Sequence, residues 1–199
     1  MMQNKKIVGI TGGSGCGKSH MSGLLRSRGI PVIDCDLVSR EIMVKGEPCY
    51  LEVLAEFGDG ILQPDGEINR KNLGEIVFSD PEKLEKLNKI THKHILADIY
   101  NKIEKEDSKV IGLDGAVLIE SGISKKCDKV LSVLADKKIR IDRITKRDSI
   151  SVEDAELRIS SQKNNEFYIE NSDYLVYNNG KDNLENDILK IINELRSMV

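Results

Sequence analysis

Residues 12–19 read Gly-Gly-Ser-Gly-Cys-Gly-Lys-Ser, a full match to the phosphate-binding loop pattern G-x-x-x-x-G-K-[ST]. The glycines let the backbone turn its N–H groups inward around a phosphate, in conformations that a side chain would block. The lysine supplies a cation for the β- and γ-phosphates, and the serine supplies a hydroxyl ligand for Mg²⁺. The stretch therefore predicts a site for a nucleoside triphosphate.

The segments on either side of this loop favour a functional motif over a glycine-rich turn. Before it, Lys6–Thr11 is a short apolar run of the kind that forms a buried parallel strand. After it, Met21, Leu24 and Leu25 fall at helical spacing until the chain reaches Gly29. A strand, a glycine loop and a helix start in this order bring the positive end of the helix dipole to the phosphate site.

Composition narrows the class of protein. A chain of 199 residues fits one domain with a small insert, and a net charge of −3 does not suggest a partner nucleic acid. No apolar run approaches the roughly 18–20 residues that cross a bilayer, and the polar start of the chain does not look like a signal peptide. The four cysteines have no zinc-site spacing. We therefore expect a cytoplasmic protein that has reduced thiols and does not associate with a membrane. We expect it to be a monomer or a weak oligomer.

Short apolar runs define the predicted sheet. The runs are Lys6–Thr11, Ile30–Asp34, Val110–Asp114, Lys129–Leu134 and Tyr174–Tyr177. Amphipathic stretches separate them, which predicts an α/β fold with a doubly wound, five-stranded parallel sheet, like that of P-loop nucleoside triphosphate hydrolases. The core would comprise roughly residues 5–36, 109–135 and 172–199.

Two long intervals between the runs predict additions to this core. Residues 37–108 hold turn signals and at least two helices, one of them starting at Ser79-Asp80-Pro81, where a capping residue precedes a proline. We expect this helical insert to cover a second substrate. Residues 136–171 are rich in basic side chains, including Arg140, Arg143, Arg147 and Arg158. They could form a solvated pair of helices, but beside a phosphate loop they suggest a lid over the transferring phosphates.

Two carboxylates follow the second predicted strand, at Asp34 and Asp36. One could hold Mg²⁺ through water while the other accepts a proton from an attacking hydroxyl, although either could simply cap the next helix. Asp114 and Glu120, near the end of the third strand, could support the metal or contact the second substrate. This set of groups predicts phosphoryl transfer from ATP to a hydroxyl.

The whole chain resembles the dephospho-CoA kinase family. Four segments follow that family's motifs in order. They are the loop with its double glycine, the segment from Asp34 to Arg40 that reads D-x-D-x-x-x-R, Ile90-Thr91-His92, and Arg158-Ile159-Ser160-Ser161-Gln162. The loop is generic, whereas the acidic segment and the order of the insert motifs are specific. The resemblance implies ATP and dephospho-CoA as substrates and Mg²⁺ as the metal.

The resemblance also implies roles for individual residues. Asp36, Lys18 and Arg147 would act in catalysis, with Asp36 as the base, and Ser19 would bind the metal. Asp34, Asp36, Arg40, His92 and Glu120 would contact the acceptor, although a packed helical histidine is an equal alternative for His92. The nucleotide would be bound by Gly13, Ser14, Gly15, Cys16, Gly17, Lys18, Ser19 and His20.

Two other classes of protein share part of this pattern. A nucleoside or nucleoside-monophosphate kinase has the loop, insert and lid, but a nucleotide kinase attacks through a phosphate oxygen and needs no acidic base. A GTP-binding switch would carry Asn-Lys-x-Asp, whereas Asn88-Lys89-Ile90-Thr91 lacks the aspartate. The sequence therefore fits either of these two classes less well than it fits a kinase that phosphorylates a hydroxyl group.

Overall fold

The computed structural model describes residues 5–180 and 184–198. Within them the strands form a five-stranded sheet in the order β2-β3-β1-β4-β5, and each neighbouring pair is parallel. The strands are β1 (Lys6–Thr11), β2 (Val32–Asp34), β3 (Val110–Asp114), β4 (Lys129–Leu134) and β5 (Tyr174–Tyr177). The predicted fold class is confirmed, and four of the five strands have the predicted bounds.

The second strand is shorter than predicted, because it begins at Val32 and not at Ile30. The Ile30 N–H donates to the Leu25 carbonyl at 3.1 Å, so it closes the end of the preceding helix and is not available to the sheet. Pro31 has no N–H to donate. Regular pairing therefore starts one residue after the proline.

Helices cover the sheet and fill the long interval between β2 and β3. Those in the described residues are α1 (Lys18–Ser27), α2 (Cys35–Glu41), α3 (Pro48–Phe57), α4 (Arg70–Phe78), α5 (Pro81–Lys105), α6 (Lys137–Asp148), α7 (Val152–Ser160), α8 (Asn165–Glu170) and α9 (Leu184–Ser197). They belong to two compact units: the first combines the sheet with the chain up to Asp34 and from Glu104 onward, and the second is Cys35–Ile103.

The first unit has its apolar core on the sheet. Val8, Ile10 and Leu131 of the central strands are completely buried. The apolar face of the last helix packs onto this core through Ile188, Ile191, Ile192 and Leu195, which are all buried. Burying each such side chain contributes about 1.5–3 kcal/mol, so this face holds α9 on the sheet.

The carboxyl ends of the strands bring the polar residues of the first unit together. Asp34 of β2 pairs in register with Asp114 of β3, and the central strand β1 ends next to them at Thr11. In parallel α/β sheets this edge is where ligands bind. The predicted phosphate loop leaves the sheet here.

The second unit is helical. Asp80 caps α5, since its Oδ1 accepts from the N–H groups of Glu82 at 3.0 Å and Lys83 at 3.3 Å, and Pro81 opens the helix as predicted. On the apolar face of α5, Ile95, Ile99 and Ile103 are buried, whereas Leu84, Leu87 and Ile90 are only partly covered.

Two further expectations concern the whole chain. The four cysteines, all within the described residues, form no disulfide with one another. Among the residues described, no helix is long and apolar enough to cross a membrane. The segment 136–171 contains α6, α7 and α8, and Ser151 caps α7, because its Oγ accepts from the Asp154 N–H at 3.0 Å.

Candidate active site

The loop between β1 and α1 requires glycine at several points, and the approach of other atoms is closest at Gly12 and Gly17 among those with positive φ. Gly12 has φ 147°, and a Cβ there would lie 2.4 Å from the Val133 carbonyl oxygen. Gly17, the residue before α1, has φ 96°, and its Cβ would lie 2.0 Å from Nδ2 of Asn178. Both positions therefore exclude a side chain through backbone conformation and through close approach.

The N–H groups of this loop are available to a ligand. Within residues 5–180 and 184–198, the backbone N–H groups of Gly15, Gly17, Lys18 and Ser19 donate to no protein acceptor. They lie at the N-terminus of α1, where unsatisfied donors and the helix dipole both favour an anion. The arrangement fits a chain of phosphates.

Lys18 points to an acidic partner on the neighbouring strand. Its ammonium group forms an ion pair with Oδ1 of Asp114, and Ser22 Oγ donates to Oδ2 of the same carboxylate at 2.6 Å. Asp114 is buried, so both partners are needed to compensate for its charge. Asp114 thus fixes the position of the lysine beside the loop.

The donors that would hold Mg²⁺ are hard oxygen atoms. Ser19 is exposed in the first turn of α1, and Asp34 and Asp114 stand at equivalent positions on adjacent strands. In the described part of the chain no group of three or more His, Cys, Asp or Glu side chains could hold a metal alone. This donor set fits a Mg²⁺ ion that arrives with the nucleotide and keeps phosphate and water ligands.

Three side chains from the later part of the chain contact the carbonyl groups of the loop. Arg140 Nε donates to the Ser14 carbonyl at 2.8 Å, and Arg143 donates to the Gly15 carbonyl at 3.1 Å. Asn178 Nδ2 donates to the Cys16 carbonyl at 2.9 Å. Arg143 also donates to Oδ1 of Asn178 at 3.1 Å. The loop is therefore held from its carbonyl side.

Gln162 contacts the same loop from the end of α7. Its Oε1 accepts from the Ser14 N–H at 2.9 Å and from Arg140 Nη2 at 3.1 Å. Its Nε2 donates to Ser14 Oγ at 3.1 Å. A loop residue and a residue of the 136–171 segment are thus joined by two hydrogen bonds, with Arg140 bonded to both.

Two buried titratable groups lie in the loop or near it, the Cys16 thiol and the Tyr168 phenol. Burial raises the pKa of the Cys16 thiol, although the nearby Arg140 and Arg143 guanidinium groups oppose that shift. Burial, and then the negative charge of Glu120, raises the pKa of Tyr168 to about 12. Glu120 itself is exposed. Both Cys16 and Tyr168 therefore stay neutral at pH 7.

Arg147, the predicted catalytic arginine, does not contact the loop in this structure. Its Nε and Nη2 donate to the two carboxylate oxygens of Asp148, at 2.8 and 2.9 Å, and Arg158 also pairs with that carboxylate. These two arginines, Arg147 first, lower the pKa of Asp148 to about 2. Arg140 and Arg143 are the arginines of this segment that reach the loop.

Three of the predicted acceptor-site residues, Asp36, Arg40 and His92, belong to the second unit. Asp36 does not extend the strand but lies half-buried in the first turn of α2, and Arg40 is exposed in the last turn of that helix. His92 is half-buried on α5. The neighbouring His94 pairs with Glu52 through Nε2 at 2.7 Å.

Sequence reasoning did not identify the loop contacts of Gln162 and Asn178, nor the pairing of Lys18 with Asp114. Asn178 carried one usable signal, because it directly follows β5 and must therefore lie at the ligand-binding edge of the sheet. Gln162 ends the Arg158–Gln162 motif, which placed it in the predicted lid, but nothing in that motif indicated that it contacts Ser14.

A parallel sheet, a glycine loop with free N–H groups and an ion-paired lysine at the start of a helix define a P-loop protein. With an arginine-rich segment in contact with that loop, the class is an ATP-dependent P-loop kinase. Comparison with known proteins narrows this class. The family model for dephospho-CoA kinase matches residues 6–183.

Relatives and solved structures agree with the family model. A dephospho-CoA kinase of Fusobacterium nucleatum is 42% identical over 186 residues, which is 93% of this chain and 94% of that protein. A crystal structure from Thermus thermophilus, 26% identical, superposes with a TM-score of 0.81 over 96% of this chain and 97% of the other. The structure of dephospho-CoA kinase from Campylobacter jejuni is 28% identical and superposes with a TM-score of 0.67, again over 96% of this chain and 97% of the other. The chain belongs to the dephospho-CoA kinase family.

Proposed function

We propose that this chain transfers the γ-phosphoryl group of ATP to the ribose 3′-hydroxyl of dephospho-CoA, which gives coenzyme A and ADP in the last step of CoA biosynthesis. The observation on this chain that carries the proposal is the loop, in which the N–H groups of Gly15, Gly17, Lys18 and Ser19 are available to an anion beside the ion-paired Lys18. The identity of the acceptor substrate is inferred from the membership of the chain in the dephospho-CoA kinase family. We assign the reaction to the cytoplasm and to a monomer or weak oligomer.

The chemical step needs a base for the acceptor hydroxyl. We assign this role to Asp36, on the strength of its place in the D-x-D-x-x-x-R segment. As the 3′ oxygen attacks, its bond to the γ-phosphorus forms, the bond from that phosphorus to the β–γ bridging oxygen breaks, and the proton passes to the Asp36 carboxylate. ADP leaves with the electron pair of the broken bond.

Positive groups balance the charge of the transferring phosphates. Lys18 and the loop N–H groups would hold the β- and γ-phosphates, and Ser19 would hold Mg²⁺ with Asp34 in reach of its water ligands. The metal, when bound, neutralises charge on the phosphate oxygens. Arg147 would exchange its Asp148 partner for the transferred phosphoryl group, since guanidinium binds phosphate with the same bidentate geometry as carboxylate.

Four residues are proposed to position the acceptor. Arg40 offers an exposed guanidinium to the diphosphate of dephospho-CoA, and Asp34, His92 and Glu120 offer polar groups to its ribose and adenine. Residues 13–20, His20 included, would form the ATP side, and the 37–108 and 136–171 segments would act as acceptor insert and lid.

The experiment that tests this function is a panel of acceptors. The protein is incubated with ATP and Mg²⁺ and with dephospho-CoA, adenosine, AMP, CMP or no acceptor, and ADP release and product mass are recorded. We expect turnover with dephospho-CoA alone and a product heavier by one phosphate. Turnover with AMP or CMP would retain the nucleotide site but overturn the acceptor.

A further inference from the structure

Ser14, in the middle of the phosphate loop, has every polar group engaged by two side chains from the 136–171 segment. Its N–H donates to Gln162 Oε1 at 2.9 Å, its Oγ accepts from Gln162 Nε2 at 3.1 Å, and its carbonyl accepts from Arg140 Nε at 2.8 Å. These partners are 148 residues away for Gln162 and 126 for Arg140. The loop and the segment therefore meet at one residue.

The Gln162 side chain is suited to this contact and is held in place for it. Its backbone N–H donates to the Ile159 carbonyl at 3.2 Å, which fixes the residue at the end of α7. A neutral amide both donates and accepts, so it satisfies the Ser14 N–H, the Ser14 hydroxyl and the buried Arg140 guanidinium together. An apolar side chain would leave the Ser14 N–H and the Arg140 guanidinium without this acceptor at a partly buried site.

We propose that Gln162 is a positioning residue for phosphoryl transfer, which joins the 136–171 segment to the phosphate loop at Ser14. This inference deepens the proposed function and rests on it. The contact holds the arginines of the segment in a fixed position relative to the loop that binds ATP. It also keeps water from the transferring phosphoryl group. We expect the contact to matter less for ATP affinity than for transfer, because Lys18 and the N–H groups of Gly15, Gly17, Lys18 and Ser19 make no hydrogen bond to Gln162.

The test compares Gln162→Ala with Ser161→Ala, a matched control whose hydroxyl donates only to the Arg158 carbonyl on the same helix end, at 3.0 Å. In Gln162→Ala we expect kcat for transfer to fall about tenfold, while KM for ATP changes less than about threefold, because alignment and not binding is lost. The share of ADP formed without phosphorylated acceptor should rise, since water gains access. The control should match the wild type in all three quantities.

A second variant tests whether Gln162 acts through Ser14. Ser14→Ala removes only the hydroxyl contact, so it should lower kcat by about twofold to threefold, in line with one lost hydrogen bond. The double variant should then be no slower than Gln162→Ala alone. A double variant whose losses multiply would overturn a role through Ser14.

An independent readout does not need the acceptor. Exchange of the Ser14 amide hydrogen, followed by NMR, should become about fivefold faster in Gln162→Ala and stay unchanged in Ser161→Ala, because that amide loses its acceptor. Equal kinetics in the two variants, or equal Ser14 exchange, would overturn the proposal. A wild-type protein inactive on dephospho-CoA would instead overturn the proposed function, and the Ser14 exchange ratio would still decide whether the contact exists.

Discussion

The two units of the chain hold their polar side chains in different ways. In the first, side chains distant in sequence converge on the phosphate loop, as Gln162 does on Ser14 and Asn178 on Cys16. In the second, ion pairs between helices lie at the surface, where water and salt screen them. These pairs are Lys86–Glu56, Lys93–Glu52 and Lys102–Glu41.

This difference indicates where the geometry of the nucleotide site comes from. Hydrogen bonds that are partly or fully buried fix the loop, so a lost partner there leaves an unpaired group and changes function and stability together. The second unit is stabilised by apolar burial, for instance of Ile99 and Ile103. Its surface charges can therefore change with little effect, unless they contact the acceptor.

The largest effect is expected at Lys18. Lys18→Ala removes the cation beside the phosphates and should lower kcat/KM by about 10³-fold. It also leaves the buried Asp114 without its ammonium partner, so the free energy of unfolding should fall by about 3 kcal/mol. Steady-state kinetics and chemical denaturation measure the two quantities.

Lys6→Ala is the matched control, because Lys6 pairs with Asp128 at 3.0 Å on the surface. We expect it to change the free energy of unfolding by less than about 1 kcal/mol and to leave kcat/KM unaltered. If Lys18→Ala were as active as this control, the assignment of the phosphate loop would be wrong.

The next effect concerns Asn178. Asn178→Ala removes the donor to the Cys16 carbonyl and the acceptor of Arg143, so we expect ATP to bind about tenfold more weakly. Titration calorimetry with ATP gives the Kd. Asn171→Ala is the control, because that exposed amide contacts only the Phe167 carbonyl of its own helix. Equal Kd values for the two variants would contradict a role of Asn178 in shaping the loop.

A smaller effect should appear in acid. Asp148 has a pKa of about 2 in the folded protein, against 3.8 ordinarily, so its contribution to stability is fully present above pH 3.8 and is lost as the pH falls through 2. Between these values the wild type should therefore lose stability more steeply than Asp148→Asn. Denaturation curves collected from pH 2 to pH 5 test this. Parallel slopes for the two proteins would show that the arginine pairs do not persist in solution.

The smallest effect is expected in the second unit. Lys86→Ala removes an exposed ion pair with Glu56 and should leave Tm and kcat unchanged within error. Thermal unfolding at low and at high salt measures it. A clear fall in Tm at both low and high salt would remove the distinction between the two units.

Local patterns in the sequence were sufficient for the sheet and the loop. β-Branched runs such as Lys6–Thr11 and Val110–Asp114 need only their own residues to indicate a buried strand, and the glycine pattern of the loop is equally local. The start of β2 was wrong by two residues, since the hydrogen bond from Ile30 depends on how α1 ends.

Contacts across long separations could not be predicted in the same way. Arg140, Arg143 and Arg147 recur on one face of α6, so spacing does not distinguish them. Burial does, because Arg140 is 5% exposed and bonded to the loop while Arg147 pairs with Asp148. Gln162 and Asn178 contact the loop from 148 and 162 residues away, and no periodic pattern records such pairs.

The most direct test of the division between an ATP-binding loop and an acceptor base is Asp36→Asn. ATP affinity by calorimetry and kcat with dephospho-CoA are measured on the same preparation. We expect a Kd for ATP within about twofold of the wild type and a kcat lower by about 10²–10⁴-fold, because only proton transfer from the acceptor is lost. Near-normal turnover, or a loss of ATP binding equal to the loss of turnover, would contradict the role of Asp36.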